Sequence, residues 1–140
     1  MTQFKTSGLD ELSLSLQEIA QIPEDVVGEM LNAQADVVVE AQKAAAKALG
    51  VEETGLTIRS IKKGKVKLKK GQQVLYITPT GSRRRGKKRV RNAEIAFVNE
   101  FGKRSQKARP FVRTGNETSA GKATEAAMAV YDRWLKSKNL

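Results

Sequence analysis

The spacing of apolar positions changes several times along the chain, and each change marks an element. Leu9, Leu12, Leu16 and Ile19 recur at spacings of three and four, which predicts a short helix over residues 8–19. The alternation Leu12-Ser13-Leu14-Ser15-Leu16 leaves a strand open as the weaker alternative. Pro23 ends that segment or opens the next. From Glu24 to about Leu49 runs the longest helical pattern, with Val27, Met30, Leu31, Val38, Ala41, Ala45 and Leu49 near one face. Acids Glu24, Asp25 and Glu29 lie near its start and Lys43 and Lys47 near its end, the order that suits the helix dipole. Gly50 is a natural stop. A helix of that length makes a rod of roughly 39 Å. The small side chains of Ala44-Ala45-Ala46-Lys47-Ala48 permit close packing against a sheet or a neighbouring subunit.

After Thr54-Gly55 the period drops to two. Lys65-Val66-Lys67-Leu68-Lys69 puts lysines on one face and Val66 and Leu68 on the other. Lys70-Gly71-Gln72 is a turn signal, and Gln73-Val74-Leu75-Tyr76-Ile77-Thr78 is the predicted hairpin partner, stopped by Pro79 and Gly81. Glu94-Ile95-Ala96-Phe97-Val98 reads as a third strand, with a helical turn as the alternative. A final helix is predicted from about Thr114 to Lys136, opened by a Thr114-x-x-Glu117 capping box and striped by Ala123, Ala127, Val130, Tyr131 and Trp134. The expected architecture is α+β: a small antiparallel β-sheet packed against one long helix, with short N-terminal and C-terminal helices. The 140 residues suit a single domain, 1–140, in which residues 80–92 form a flexible basic loop.

Charge changes the picture more than composition does. The chain carries 26 Lys and Arg against 15 Asp and Glu, a net +11, unevenly spread. Residues 1–50 hold three bases and eight acids, whereas residues 51–92 hold fourteen bases and two acids. An acidic front and a basic middle favour an acidic or polyanionic partner, or pairing of one copy's front with another's middle. Seven of the ten residues from Ser82 to Arg91 are cationic: Arg83, Arg84, Arg85, Lys87, Lys88, Arg89 and Arg91. They are candidates for contact with DNA phosphates or with a neighbouring subunit. No aromatic side chain interleaves the run, so base stacking is not indicated.

Several chemistries lose their usual carriers. The chain has neither cysteine nor histidine, which removes thiolate chemistry, the commonest general base and the commonest metal ligand. Glu94 and Glu100 form the best available acid pair, but no base or nucleophile accompanies them, and no phosphate-binding glycine fingerprint occurs. We therefore expect no catalytic residues, no cofactor and no metal. No apolar run reaches the length of a membrane span, and Met1-Thr2-Gln3-Phe4-Lys5 lacks a signal peptide's apolar stretch, so a cytoplasmic product with no membrane partner is expected.

The densest constellation is Phe97-Val98-Asn99-Glu100-Phe101-Gly102 followed by Arg109-Pro110-Phe111-Val112-Arg113. Phe97, Phe101 and Phe111 are expected to anchor the junction between the sheet and the last helix. Glu100 is expected to pair with Arg109 or Arg113, and Gly102 to turn the chain with positive φ. Glu100, Phe101, Gly102, Arg109, Pro110 and Phe111 are accordingly assigned to the fold's junction and to an interface.

The ordered set Gly8-Leu9-Asp10-Glu11-Leu12, Thr54-Gly55-Leu56-Thr57-Ile58-Arg59-Ser60-Ile61, Val98-Asn99-Glu100-Phe101-Gly102 and Arg109-Pro110-Phe111 resembles the neck proteins of long-tailed bacteriophages, the head–tail connector or tail-completion family. The resemblance covers nearly the whole chain. Asn99 interrupts the family's usual Val-Glu pair, and Lys103 stands where a threonine often follows the glycine. The resemblance implies a structural protein rather than an enzyme. It implies a homo-oligomeric ring, typically a hexamer, between the head-side adaptor or connector protein and the tail terminator or tail tube, with double-stranded DNA passing through its channel. The implied location is the neck of a virion, with host cytoplasm before assembly. The competing expectation is a stand-alone, sequence-nonspecific nucleic-acid-binding protein, which needs only the basic middle.

Overall fold

Pro23, at φ −56° and ψ 147°, is the N-cap of the first helix, α1, which runs Glu24–Ala48. Its pyrrolidine ring presets the entry angle, while Glu24 and Asp25 in the first turn and Lys47 in the last complement the helix dipole. The computed structural model describes residues 22–51 and 55–138; the helix expected over residues 8–19 and Thr54 lie outside them. The far end of α1 closes as a Schellman motif. The Val51 amide donates to the Ala46 carbonyl at 3.0 Å and the Gly50 amide to the Lys47 carbonyl at 3.3 Å. Gly50 supplies the required left-handed conformation at φ 68°. Val51 and Ala46 then meet in the same buried cluster, the apolar contact that commonly seals this motif.

The last helix, α4 in the numbering below, runs Phe111–Ser137 and lies antiparallel against α1. Gly115, Ser119, Ala123 and Ala127, spaced by four, make a ridge of small buried residues along it. The facing side of α1 buries Ala35, Val39, Gln42 and Ala46. The approach is closest at Gly115, where an added Cβ would sit 2.7 Å from the Gln42 Cα. The Gln42 side chain donates to Asn116 Oδ1 at 2.9 Å beside that contact. Toward the other end Val26 and Met30 meet Ala127, Val130 and Tyr131, with Trp134 and Leu135 packed outside them. Burial raises the Tyr131 phenol above its ordinary value near 10, and the Asp132 carboxylate adds to the shift.

Between the two long helices in sequence the chain builds short elements, which begin at the C-terminal end of α1; the first hairpin then runs back along that helix. Gly55, at φ 71°, caps α2, Leu56–Ser60. A long hairpin follows. Its arms are β1, Ile61–Lys63, with β4, Ile77–Pro79, and further out β2, Lys67–Lys69, with β3, Gln72–Val74. The inner register pairs Lys63 with Ile77 and the outer pairs Lys67 with Val74. Residues 64–66 therefore oppose only Leu75 and Tyr76, so the hairpin carries one extra residue, a bulge, in its first arm. The turn residues Lys70 and Gly71 both have positive φ, 52° and 78°, the signature of a type I′ turn. The hairpin lies along α1: Lys63 pairs with Asp36 at 2.8 Å, and Val66 and Gln73 reach Gly28.

A second hairpin, β5 at Ser82–Arg85 and β6 at Lys88–Arg91, leads directly into α3, Asn92–Phe101. The second core cluster joins these parts to the helix pair through Val39, Ala46, Val51, Ile61, Ala96 and Phe111. The α+β class holds, and the long helix begins and ends where its pattern predicts.

Five expectations need correction. Among the described residues the sheet is three separate two-stranded pieces, not one. The C-terminal helix is not short; at 27 residues it is longer than α1. It starts at Phe111, three residues before the expected capping box, so Thr114 and Glu117 lie within it. The expected third strand is α3: Asn92, Ile95, Ala96 and Asn99 are buried at i, i+3, i+4 and i+7, a helical spacing hidden by two polar residues. Finally, the buried face of α1 is rotated from the large-residue stripe. Of the seven positions named for that stripe, Val27 and Met30 alone are buried, and Leu49 is exposed. The helix is covered on two sides by different partners, and the closer one, α4, selects small residues.

Candidate interface surfaces

The basic segment is ordered by backbone pairing rather than by burial. Ser82 pairs with Arg91, Arg83 with Val90, Arg84 with Arg89 and Arg85 with Lys88. Gly86 has φ 61° while Lys87 stays at negative φ, so positive φ falls on the first central residue alone, as in a type II′ turn. The loop expected over residues 80–92 is thus a regular two-residue hairpin over most of its length. A Gly-Lys centre flanked by residues that can all be extended was the available signal, and the run of like charge masked it.

The seven candidate cations divide by environment. Arg83 turns inward: its Nε donates to Asn92 Oδ1 at 2.8 Å and its Nη2 to Thr57 Oγ1 at 2.7 Å. Thr57 is fully buried and Asn92 nearly so. Asn92 in turn donates to the Thr80 carbonyl at 2.7 Å, and the Thr80 amide donates to the Ser60 carbonyl at 2.7 Å. Arg83 therefore fastens the base of the hairpin to α2 and α3 and is a structural anchor. Asn92, which completes the anchor, carries no signal in the sequence, and Thr57 stands out there only as one residue of the Thr54–Ile61 motif, with no role attached. Arg91 pairs with Glu94 at 3.2 Å, and Arg89 donates to Ser82 Oγ at 2.9 Å, both on exposed surface. Arg84, Arg85, Lys87 and Lys88 are exposed.

The second constellation is brought together as a helix–turn–helix junction. The Glu100 carboxylate accepts the Val112 amide at 2.8 Å through Oε2 and the Arg113 amide at 3.0 Å through Oε1. Pro110, the N-cap of α4, has no side-chain oxygen to offer, so Glu100 caps the helix from the neighbouring one. The expected pairing of Glu100 with the Arg109 or Arg113 side chains is thus replaced by main-chain capping. A carboxylate facing the unpaired amides of a helix start meets two donors and the positive end of the dipole together. Gly102 holds φ 76°, as its position predicts, and an added Cβ would stand 2.8 Å from the Ala108 amide nitrogen. The intervening turn is tied down by the Arg109 amide donating to the Asn99 carbonyl at 2.6 Å and Gln106 Nε2 donating to Asn99 Oδ1 at 3.1 Å.

The three phenylalanines have different fates. Phe111 is completely buried in the second cluster and anchors the junction. Phe97 and Phe101 are 64% and 67% exposed and pack against each other, with ring centroids 4.8 Å apart and planes tilted by 48°. They belong to the surface because the opposite side of α3, through Ile95, Ala96 and Asn99, faces the body.

No family model, curated protein or solved structure matches the chain. Among the described residues no cluster of Asp and Glu could hold a metal ion, and no helix is long and apolar enough to cross a membrane. The surfaces that remain are an acidic face on α1, with Glu24, Asp25, Glu29, Asp36 and Glu40 exposed, two basic hairpins, and the aromatic pair on α3.

Proposed function

We propose that this chain is a structural subunit of the neck of a long-tailed bacteriophage, where copies close into a ring that joins the DNA-filled head to the tail. The observation that carries the reading is the separation of charge on a rod-like body. Exposed acids occupy α1, and exposed lysines occupy the outer part of the hairpin that follows it, Lys65 to Lys70; the two patches touch where Asp36 pairs with Lys63, while Glu24, Asp25, Glu29 and Glu40 and the outer lysines stay exposed. Unlike patches on one molecule suit heterologous, head-to-tail contacts, which close into a ring when the rotation per copy allows. The motifs behind the family resemblance are consistent with this. Gly55 to Ile61, Glu100 to Gly102 and Arg109 to Phe111 are cap, turn and core positions that fix the frame. They leave the exposed surface to be specified separately.

The assembly partners on this reading are further copies of the chain, a head-side adaptor and a tail-side terminator or tube protein. Immunogold electron microscopy of virions with an antibody to this chain tests the reading. Label at the head–tail junction is expected; label elsewhere on the particle, or none on intact or partly opened particles, refutes it. A stand-alone nucleic-acid-binding protein is the second reading, favoured by the basic hairpin, and it predicts no association with particles at all.

A further inference from the structure

We infer that the tip of the β5–β6 hairpin is a sequence-independent grip for the phosphate backbone of duplex nucleic acid, formed by Arg84, Arg85, Lys87, Lys88 and Arg89. The inference stands on the hairpin's geometry and does not require that copies form a ring. Its first support is the register. Arg84 is directly opposite Arg89, and Arg85 directly opposite Lys88. Like charges on cross-strand neighbours repel at close range and destabilise a hairpin. Two such pairs in succession, around a turn that adds Lys87, concentrate positive charge on a strand pair held by its backbone ladder, the Arg83 anchor and the hydrogen bond from Arg89 to Ser82, and no carboxylate is paired with Arg84, Arg85, Lys87, Lys88 or Arg89 among the described residues. Such an arrangement is explained by a counter-anion that bridges the pairs.

The second support is the anchor. Arg83, from the same run, is withdrawn into hydrogen bonds with Thr57 and Asn92. Arg91 is matched by Glu94. The base of the hairpin is therefore neutralised and fixed to the body, whereas the tip carries uncompensated charge. A rigid base with a charged tip holds the cations ready for a ligand at little ordering cost.

The third support decides the class of ligand. A protein partner wants apolar and aromatic side chains at the centre of the contact. The tip offers none: Val90, opposite Arg83, is half-buried toward the body, and the outward residues are Arg, Lys and Gly. A surface made of charge alone suits phosphate, where affinity comes from counterion release and guanidinium forks match phosphate oxygens. Contacts that end on phosphate oxygens carry no sequence information, which predicts no base preference.

The test uses the full chain and a short mixed-sequence duplex DNA, followed by fluorescence anisotropy across a salt series. Five phosphate contacts predict a slope of log K against log salt near −4.5, about a 500-fold loss between about 50 and 200 mM salt. Replacing all five cations at the tip by Gln should flatten the slope to near zero. The same variant should melt at a higher temperature, since the opposed charges are gone, and this shows that the loss of binding is not a loss of fold. The control variant changes five lysines of the other hairpin, Lys62, Lys65, Lys67, Lys69 and Lys70, to Gln. It should keep most of the slope. A tip variant that binds as the parent does overturns the inference, as does a control that loses as much, which would show only an effect of net charge. Equal competition by polyglutamate at matched charge would assign the tip to an acidic polypeptide and overturn it too.

Discussion

Replacing Gly115 by Ala probes the contact that sets the spacing of the two long helices. The new Cβ would lie 2.7 Å from Gln42 Cα, 2.8 Å from its amide nitrogen and 2.9 Å from its Cγ. Two of those atoms are backbone, so no side-chain rotation relieves the clash. Reaching an ordinary contact near 3.6 Å requires the helices to part by close to 1 Å at this point. Overpacking of this kind costs about 1–3 kcal/mol, and a backbone obstacle puts the cost at the upper end. The neighbouring hydrogen bond from Gln42 to Asn116 adds about 1 kcal/mol if it is lost. Against this, Ala is favoured over Gly inside a helix by about 1 kcal/mol. The steric effect wins, and the net destabilisation should be about 2–3 kcal/mol. For a chain of this size that lowers Tm by about 6–12 °C. Gly121, in the same helix with nothing within 4 Å of its Cβ position, is the internal control. Gly121→Ala should stabilise by about 0.5–1 kcal/mol. Thermal and urea unfolding of both variants decide the matter. If Gly115→Ala is as stable as the parent, or moves with Gly121→Ala, the close helix approach is refuted.

Three further outcomes follow from the same geometry. Glu100→Ala removes the cap of α4 and should cost about 1–2 kcal/mol in urea unfolding, with Glu100→Gln intermediate because its amide oxygen retains one acceptor; an unchanged midpoint would contradict the capping role. Lys70→Asn places Asn-Gly in a type I′ turn where a lysine now holds φ 52°, and should raise stability by about 0.5–1 kcal/mol; a loss of stability would show that the turn type is wrong. Because the folded Tyr131 phenol titrates above its unfolded value, its contribution is fully present below pH 10 and is lost as the pH rises through the folded value. The phenolate absorbance lost in Tyr131→Phe should therefore appear above pH 10, and its appearance at or below 10 would contradict the burial.

Element by element, legibility followed how much of the pattern was carried by large apolar residues. The long α1 showed through its periodicity, its ordered charges and Gly50. The C-terminal half of α4 showed through Ala123, Ala127, Val130 and Tyr131. Its first turns did not, because Gly115 and Ser119 look like helix breakers until a neighbouring backbone needs their smallness. In α3 the same happened with Asn92 and Asn99, buried because their amides bond locally to the Thr80 and Ile95 carbonyls. The first hairpin was visible in alternation and in Lys70-Gly71, but its bulge depends on pairing that no local pattern reports. For the interface surfaces, the sequence displayed the cations without their division: Arg83 looks like its neighbours in a run of arginines, and only the fold turns it toward Thr57. Likewise Glu100 stood out through its company, while its partners are main-chain amides that no side-chain pattern reveals.

The proposed role of this polypeptide, joining head to tail, is open to a genetic test: electron microscopy of particles made without its gene. Filled heads and finished tails lying separate, and rejoined when purified protein is added back, are the predicted result. Normal joined virions in its absence would contradict the claim.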